Sequence, residues 1–154
     1  MRQYLRITRY PYAEPYHLNL VMEASNGSQT SRLEFYCNAD DLLKVANALE
    51  SFPRHEHHLF LWELGTERPE DRFAYYFRFR VFAVNCLGKC AIQVRFNNHA
   101  PLPEREIAGF CISDIEPAPL DRLKGLISQF AELKHQVLEW QLNDGWLLER
   151  AEEN

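Results

Sequence analysis

Apolar and polar residues alternate over Leu18, Leu20, Met22 and Ala24. They alternate again where Leu33, Phe35 and Cys37 are interleaved with Arg32, Glu34 and Tyr36. A period of two marks strands with one buried face, and Asn26-Gly27 between the runs is a hairpin signal. Ahead of them, Tyr4–Arg9 predicts a short extra edge strand. Tyr10–Tyr16 cannot prolong it, because Pro11 and Pro15 lack the ladder donor. Further along, Leu59–Leu64 predicts another strand. Phe73–Asn85 predicts a long one, with Phe73, Tyr75, Phe77, Phe79 and Val81 on one face and Ala74, Tyr76, Arg78, Arg80 and Phe82 on the other. A turn around Gly88 leads back into Ala91–Phe96, and Ile107–Ile115 predicts the last strand.

The period changes to helical twice. After Asn38, with Asp40 and Asp41 in the first turn, Leu42, Val45, Ala46, Leu49 and Phe52 recur at helix spacing until Pro53. After Pro117-Ala118-Pro119, Leu123, Leu126, Phe130, Leu133, Val137 and Trp140 keep an unbroken 3-4 spacing. That spacing favours one long helix stopping by Asn143-Asp144-Gly145. The alternative ends it near Lys134 and makes Gln136–Leu142 a strand. The predicted order is β-β-α-β-β-β-β-α. No strand–helix–strand rhythm recurs, so the expected fold is α+β: one antiparallel sheet of about six strands with two helices packed on it.

Composition sharpens this picture. The 154 residues, 46% hydrophobic and 25% charged, exclude a disordered chain and predict a single domain over 1–154. No apolar run is long enough for a membrane helix, and Met1–Tyr4 leads into no signal core. The expected location is cytoplasmic, with reduced thiols at Cys37, Cys86, Cys90 and Cys111. Cys86 and Cys90 flank the Gly88 turn, a spacing that would let them approach each other across a hairpin, whereas Cys37 and Cys111 read as buried small hydrophobes. The formal charge of −5 argues against a protein built to neutralise phosphates. Yet Arg68, Arg72, Arg78, Arg80, Lys89 and Arg95 outnumber Glu70 and Asp71 between Arg68 and His99, while Glu149, Glu152 and Glu153 make the end acidic.

Candidate chemistry is sparse. The chain has no phosphate loop, dinucleotide fingerprint, zincin motif or nucleophile elbow. Glu63, Glu104, Glu106 and Asp114 fall near strand ends, with nothing to pair any two of them. In Arg54-His55-Glu56-His57-His58, alternation would allow only His55 and His57 to share a metal, an incomplete ligand set. No catalytic residue, metal or cofactor is therefore assigned. Two groups suit partner binding. Tyr10, Tyr12 and Tyr16 place amphipathic rings beside two prolines, a composition that equally suits a blunted sheet edge. Tyr76, Arg78, Arg80 and Arg95, with Gln93, share one sheet face across a hairpin. Such a face can stack single-stranded bases, but the acidic chain argues against nucleic acid, and arginines paired with glutamates explain the same letters.

Ile7–Tyr12, Glu14–Leu20, Trp62-Glu63-Leu64-Gly65, Glu70–Phe77 and Val137–Trp140 together resemble a family of small bacterial proteins with no assigned activity. The layout also resembles domains found near toxin systems, which implies an immunity or accessory role. These readings favour a non-enzymatic protein that binds another protein. The alternative is a small-molecule binder or enzyme with a pocket between sheet and helix, lined by Leu59–Leu64 and Phe73–Asn85.

Overall fold

The computed structural model describes residues 2–150, so Met1, Glu152 and Glu153 lie outside the described residues. Among the described residues there are nine strands and two α-helices. In chain order these are β1 (Tyr4–Tyr10), β2 (Leu18–Ser25), β3 (Thr30–Cys37), α1 (Ala39–Ala48), β4 (Leu59–Leu64), β5 (Tyr76–Ala83), β6 (Cys90–Asn97), β7 (Ile107–Ile115), α2 (Pro117–Phe130), β8 (Val137–Gln141) and β9 (Gly145–Leu148). The fold is α+β and antiparallel. The strands form two sheets, of order β3-β2-β1-β8-β9 and β4-β5-β6-β7, in place of the expected single sheet of about six.

The topology contains a repeat that the sequence does not advertise. β1-β2-β3-α1 is followed by β4, which joins the second sheet beside β5. β5-β6-β7-α2 is followed by β8, which joins the first sheet beside β1. Each half of the chain thus completes the other half's sheet. This exchange explains two corrections. β1 is not an edge strand: it lies between β2 and β8, with Leu5 opposite Trp140 and Ile7 opposite Leu138. The long second helix does not form either. α2 ends at Phe130, Leu133 takes a left-handed φ of 63°, and β8 follows. The ladder to β1 wins over the helical spacing because Leu138 and Trp140 reach the core on alternate strand positions, each with 0% exposure. Trp140 also donates its indole N–H to the Pro119 carbonyl at 2.8 Å. Gly145 lets β9 approach α2, since a Cβ there would sit 2.6 Å from Leu126 Cδ1.

Local chemistry accounts for the rest. Asn38 caps α1 in a capping box with Asp41, each side chain accepting the other's backbone N–H at 3.0 Å. Leu42, Val45, Ala46 and Leu49 then turn inward. β5 is eight residues long and starts at Tyr76, so Phe73, Ala74 and Tyr75 are loop instead of strand. Phe35 of β3 stacks on Phe77 of β5 at 4.2 Å and meets Trp62 of β4 edge-on at 5.5 Å. One hydrophobic cluster takes in residues of both sheets and both helices. Because the inner faces are committed to that core, any surface for recognition lies on the outer faces and in the loops. No described helix is long and apolar enough to cross a membrane.

Candidate functional site

β5 and β6 pair so that Tyr76 faces Asn97, Arg78 faces Arg95, and Arg80 faces Gln93. Phe77, Phe79 and Val81 take the inward positions, which turns Tyr76, Arg78, Arg80 and Phe82 to the outer face of the second sheet. Arg78, Arg80 and Arg95 therefore do share one face, and it looks to solvent: the side chains of Arg78 and Arg95 are 35% and 36% exposed. β4 adds Leu61 opposite Arg80 and Leu59 opposite Phe82. These leucines stay 45% and 49% exposed on an edge strand.

The three arginines are not equivalent. Arg78 donates its Nε to the Tyr76 hydroxyl at 2.9 Å and lies 3.9 Å from Glu63. Tyr76 donates its hydroxyl to Glu63 and is only 3% exposed, so it orients its neighbours and offers a partner little surface. Burial and the Glu63 carboxylate both push the Tyr76 phenol above its ordinary pKa. Arg95 forks onto Glu67 with two bonds of 3.0 Å, and Asn97 donates to the same carboxylate at 3.0 Å. The Arg95 hydrogen bond, aided by Asn97, holds Glu67 below the usual carboxylate range. Arg80 differs: its guanidinium carbon lies 4.9 Å over the Phe82 ring and meets no carboxylate among the described residues. Its Nε and Gln93 Oε1 are both shut off from solvent without a hydrogen-bond partner. A desolvated polar group left unbonded is costly, so Arg80 and Gln93 mark the unfinished part of the face.

The tyrosine segment lies on the other sheet. Tyr10, Tyr12 and Tyr16 are all exposed. Tyr12 packs on Tyr36 of edge strand β3 at 5.5 Å, and Arg9 holds Glu14 in an ion pair. Tyr36 in turn donates its backbone N–H to the Tyr75 hydroxyl at 3.1 Å. The segment thus lies against β3 while leaving Tyr10 and Tyr16 outward. The two groups of candidate residues sit on different sheets.

Other expectations change with the geometry. His55 stacks with His58 at 5.2 Å, not with His57, and His58 lies on Phe52 at 4.0 Å. Burial, with His55 and Arg54 nearby, lowers the His58 pKa. Cys90 is buried while Cys86 is exposed, and all four thiols are free. Burial raises Cys37 to about 12 and Cys90 to about 11, which leaves them poor nucleophiles. Cys111 is only half-buried and pairs with Gln93 on the outer face. Of the aromatic side chains assigned to a pocket between sheet and helix, Trp62 lies 4.8 Å from Phe77 and 6.4 Å from Phe79.

Sequence reasoning missed Glu139, a 4% exposed residue on the outer face of the first sheet. Arg6 holds its Oε2 through Nε at 3.2 Å and Nη2 at 3.0 Å, and Arg2 lies 3.5 Å from Oε1. Its place in an apparent helix hid it; only the alternative that makes Gln136–Leu142 a strand would have put it opposite Arg6.

No family model, curated protein or solved structure matches the chain.

Proposed function

We propose that the protein acts by binding another protein through the outer face of its second sheet, without catalysing a reaction itself. The observation that carries this reading is Arg80: a guanidinium with no carboxylate, set between Phe82 and the exposed Leu59 and Leu61. Charge complementarity gives the partner's chemistry. Glu63 and Glu67 neutralise Arg78 and Arg95, so the face keeps one positive charge although the chain carries −5. The fitting partner presents an Asp or Glu flanked by apolar side chains. It offers the carboxylate to Arg80 and covers Leu59 and Leu61, the pattern of an Arg hot spot within an apolar rim. An immunity or accessory role in a toxin system is the biological form that the resemblance of layout suggests for such binding.

The test starts by capturing partners from source-cell extract on the immobilised chain and purifying the captured protein. Its affinity is then measured for wild type, Arg80→Ala, Leu61→Glu and Glu34→Ala. The first two substitutions should each weaken binding about tenfold or more, while Glu34→Ala, on the first sheet, should change nothing. Equal affinity for wild type, Arg80→Ala and Leu61→Glu would overturn the reading.

A further inference from the structure

A cavity beside that face has the features of a small-ligand site. The loop after β4 and the loop between β6 and β7 frame a half-open cavity of about 430 Å³, within the range of small-molecule pockets. Arg68 and Arg72, from the basic stretch noted in the sequence, line it together with Arg105 from the next loop. Arg68 is paired with Asp71 at 2.8 Å. Arg105 donates its Nε to the Ala100 carbonyl at 3.1 Å, which leaves its terminal nitrogens available, and Arg72 has no acidic partner among the described residues. The lining carboxylate, Glu67, is already held by Arg95 and Asn97. The cavity therefore keeps an excess of positive charge with two guanidinium ends free.

Two further observations converge on it. Phe73 and Ile107, both lining the cavity, are 49% and 48% exposed, so it has an apolar wall as well as a cationic one. Gly65 shapes that wall: its φ is +79°, and a Cβ there would come within 3.3 Å of the Phe73 side chain and 2.5 Å of the Tyr75 carbonyl. Arg72 and His99 also line the cavity in left-handed backbone conformations, with φ of 54° and 52°. Strain of this kind in non-glycine residues gathers at ligand clamps. His99 is fixed besides, its Nε2 lying 2.8 Å from the Thr66 carbonyl.

We infer that this cavity binds a small organic anion: a carboxylate or phosphate group held by Arg72 and Arg105, on a flat apolar body covered by Phe73 and Ile107. The cavity adjoins the protein-binding face proposed above, sharing Glu67 and Asn97 with its Arg95 pairing, but the inference rests on Arg72 and Arg105 and does not depend on that reading. Phenyl phosphate and benzoate serve as probes, with inorganic phosphate and benzyl alcohol as controls, titrated into the full chain and followed by backbone amide NMR.

At least one organic anion should bind saturably, with a dissociation constant of about 1 mM or tighter, and move the signals of Arg72, Phe73, His99 and Ile107. Both controls should bind at least about tenfold more weakly, lacking the apolar body or the charge. Arg72→Asn keeps a residue that tolerates the left-handed conformation, so its melting temperature should match wild type while affinity falls about tenfold. Arg105→Gln repeats the test from the other loop. Three results would each overturn the inference: no saturable binding of either organic anion, a control that binds as well, or unchanged affinity in both variants.

Discussion

The outer faces of the two sheets are built from similar residues, but their central arginines are paired differently. On the first, Arg6 meets Glu139 through two hydrogen bonds and lies 3.8 Å from Glu23, and Tyr4 donates its hydroxyl to Glu23 at 2.7 Å. Its central arginine is answered by carboxylates on both neighbouring strands. On the second, Glu63 and Glu67 answer Arg78 and Arg95, but Arg80 and Gln93 are left over beside two exposed leucines. Each face also leaves two buried polar atoms without a hydrogen bond, Asn19 Oδ1 and Glu139 Oε1 on the first and Arg80 Nε and Gln93 Oε1 on the second. The contrast lies in the ion pairs: Arg6 is answered, whereas Arg80 stands beside exposed leucines with interaction energy left for something else. The comparison therefore separates residues that hold the protein together from residues that would hold a partner.

Substitutions can break this contrast, beginning with the largest expected effect. Glu139→Ala should destabilise the chain by about 2–3 kcal/mol in urea unfolding, because it removes a buried, charge-assisted acceptor. The cost falls below that of a fully buried pair because the Arg6 side chain is 40% exposed and can rehydrate. Arg95→Ala should cost about 1 kcal/mol, since its fork onto Glu67 is well formed but one-third exposed. Arg80→Ala should lower stability by no more than about 0.5 kcal/mol, as it breaks no ion pair. A loss of about 2 kcal/mol at Arg80, or none at Glu139, would erase the distinction between the faces.

The pH dependence gives a smaller, sharper test. Glu67 titrates below the usual carboxylate range in the folded chain because of the Arg95 and Asn97 hydrogen bonds. A depressed carboxylate stabilises the fold above its unfolded pKa of about 4.3, and that contribution disappears as pH falls through the lower folded value. Melting temperature should therefore fall on acidification below about pH 5, and Glu67→Gln should shallow that fall. An identical slope in the variant would show that the Arg95–Glu67 fork is not held in solution.

Much of the local architecture was legible before the structure. The Asn26-Gly27 hairpin, the Asn38 cap, the faces of β3 and β5 and the common face of Arg78, Arg80 and Arg95 all follow from short-range periods and turn chemistry. What was not legible is long-range. Nothing local says that β8 leaves α2 to pair with β1, because Leu133, Val137 and Trp140 fit a helix stripe and no glycine or proline marks the stop. With β8 unrecognised, β1 looked like an edge and Glu139 looked unremarkable. Which arginine lacks a partner was equally hidden, since Glu67 comes from a loop and reaches Arg95 across 28 positions. The cavity is another long-range product, joining Arg72 and Arg105 from loops on opposite sides of two strands.

The most direct test of the central claim places a photo-crosslinking residue at position 61, beside Arg80 on the second sheet, and separately at position 34, on the outer face of the first. Both are exposed strand positions. In source-cell extract, position 61 should yield one discrete protein adduct that disappears when Arg80→Ala is added, and position 34 should yield none. An adduct from position 34 alone, or one from position 61 that survives Arg80→Ala at full intensity, would contradict the account.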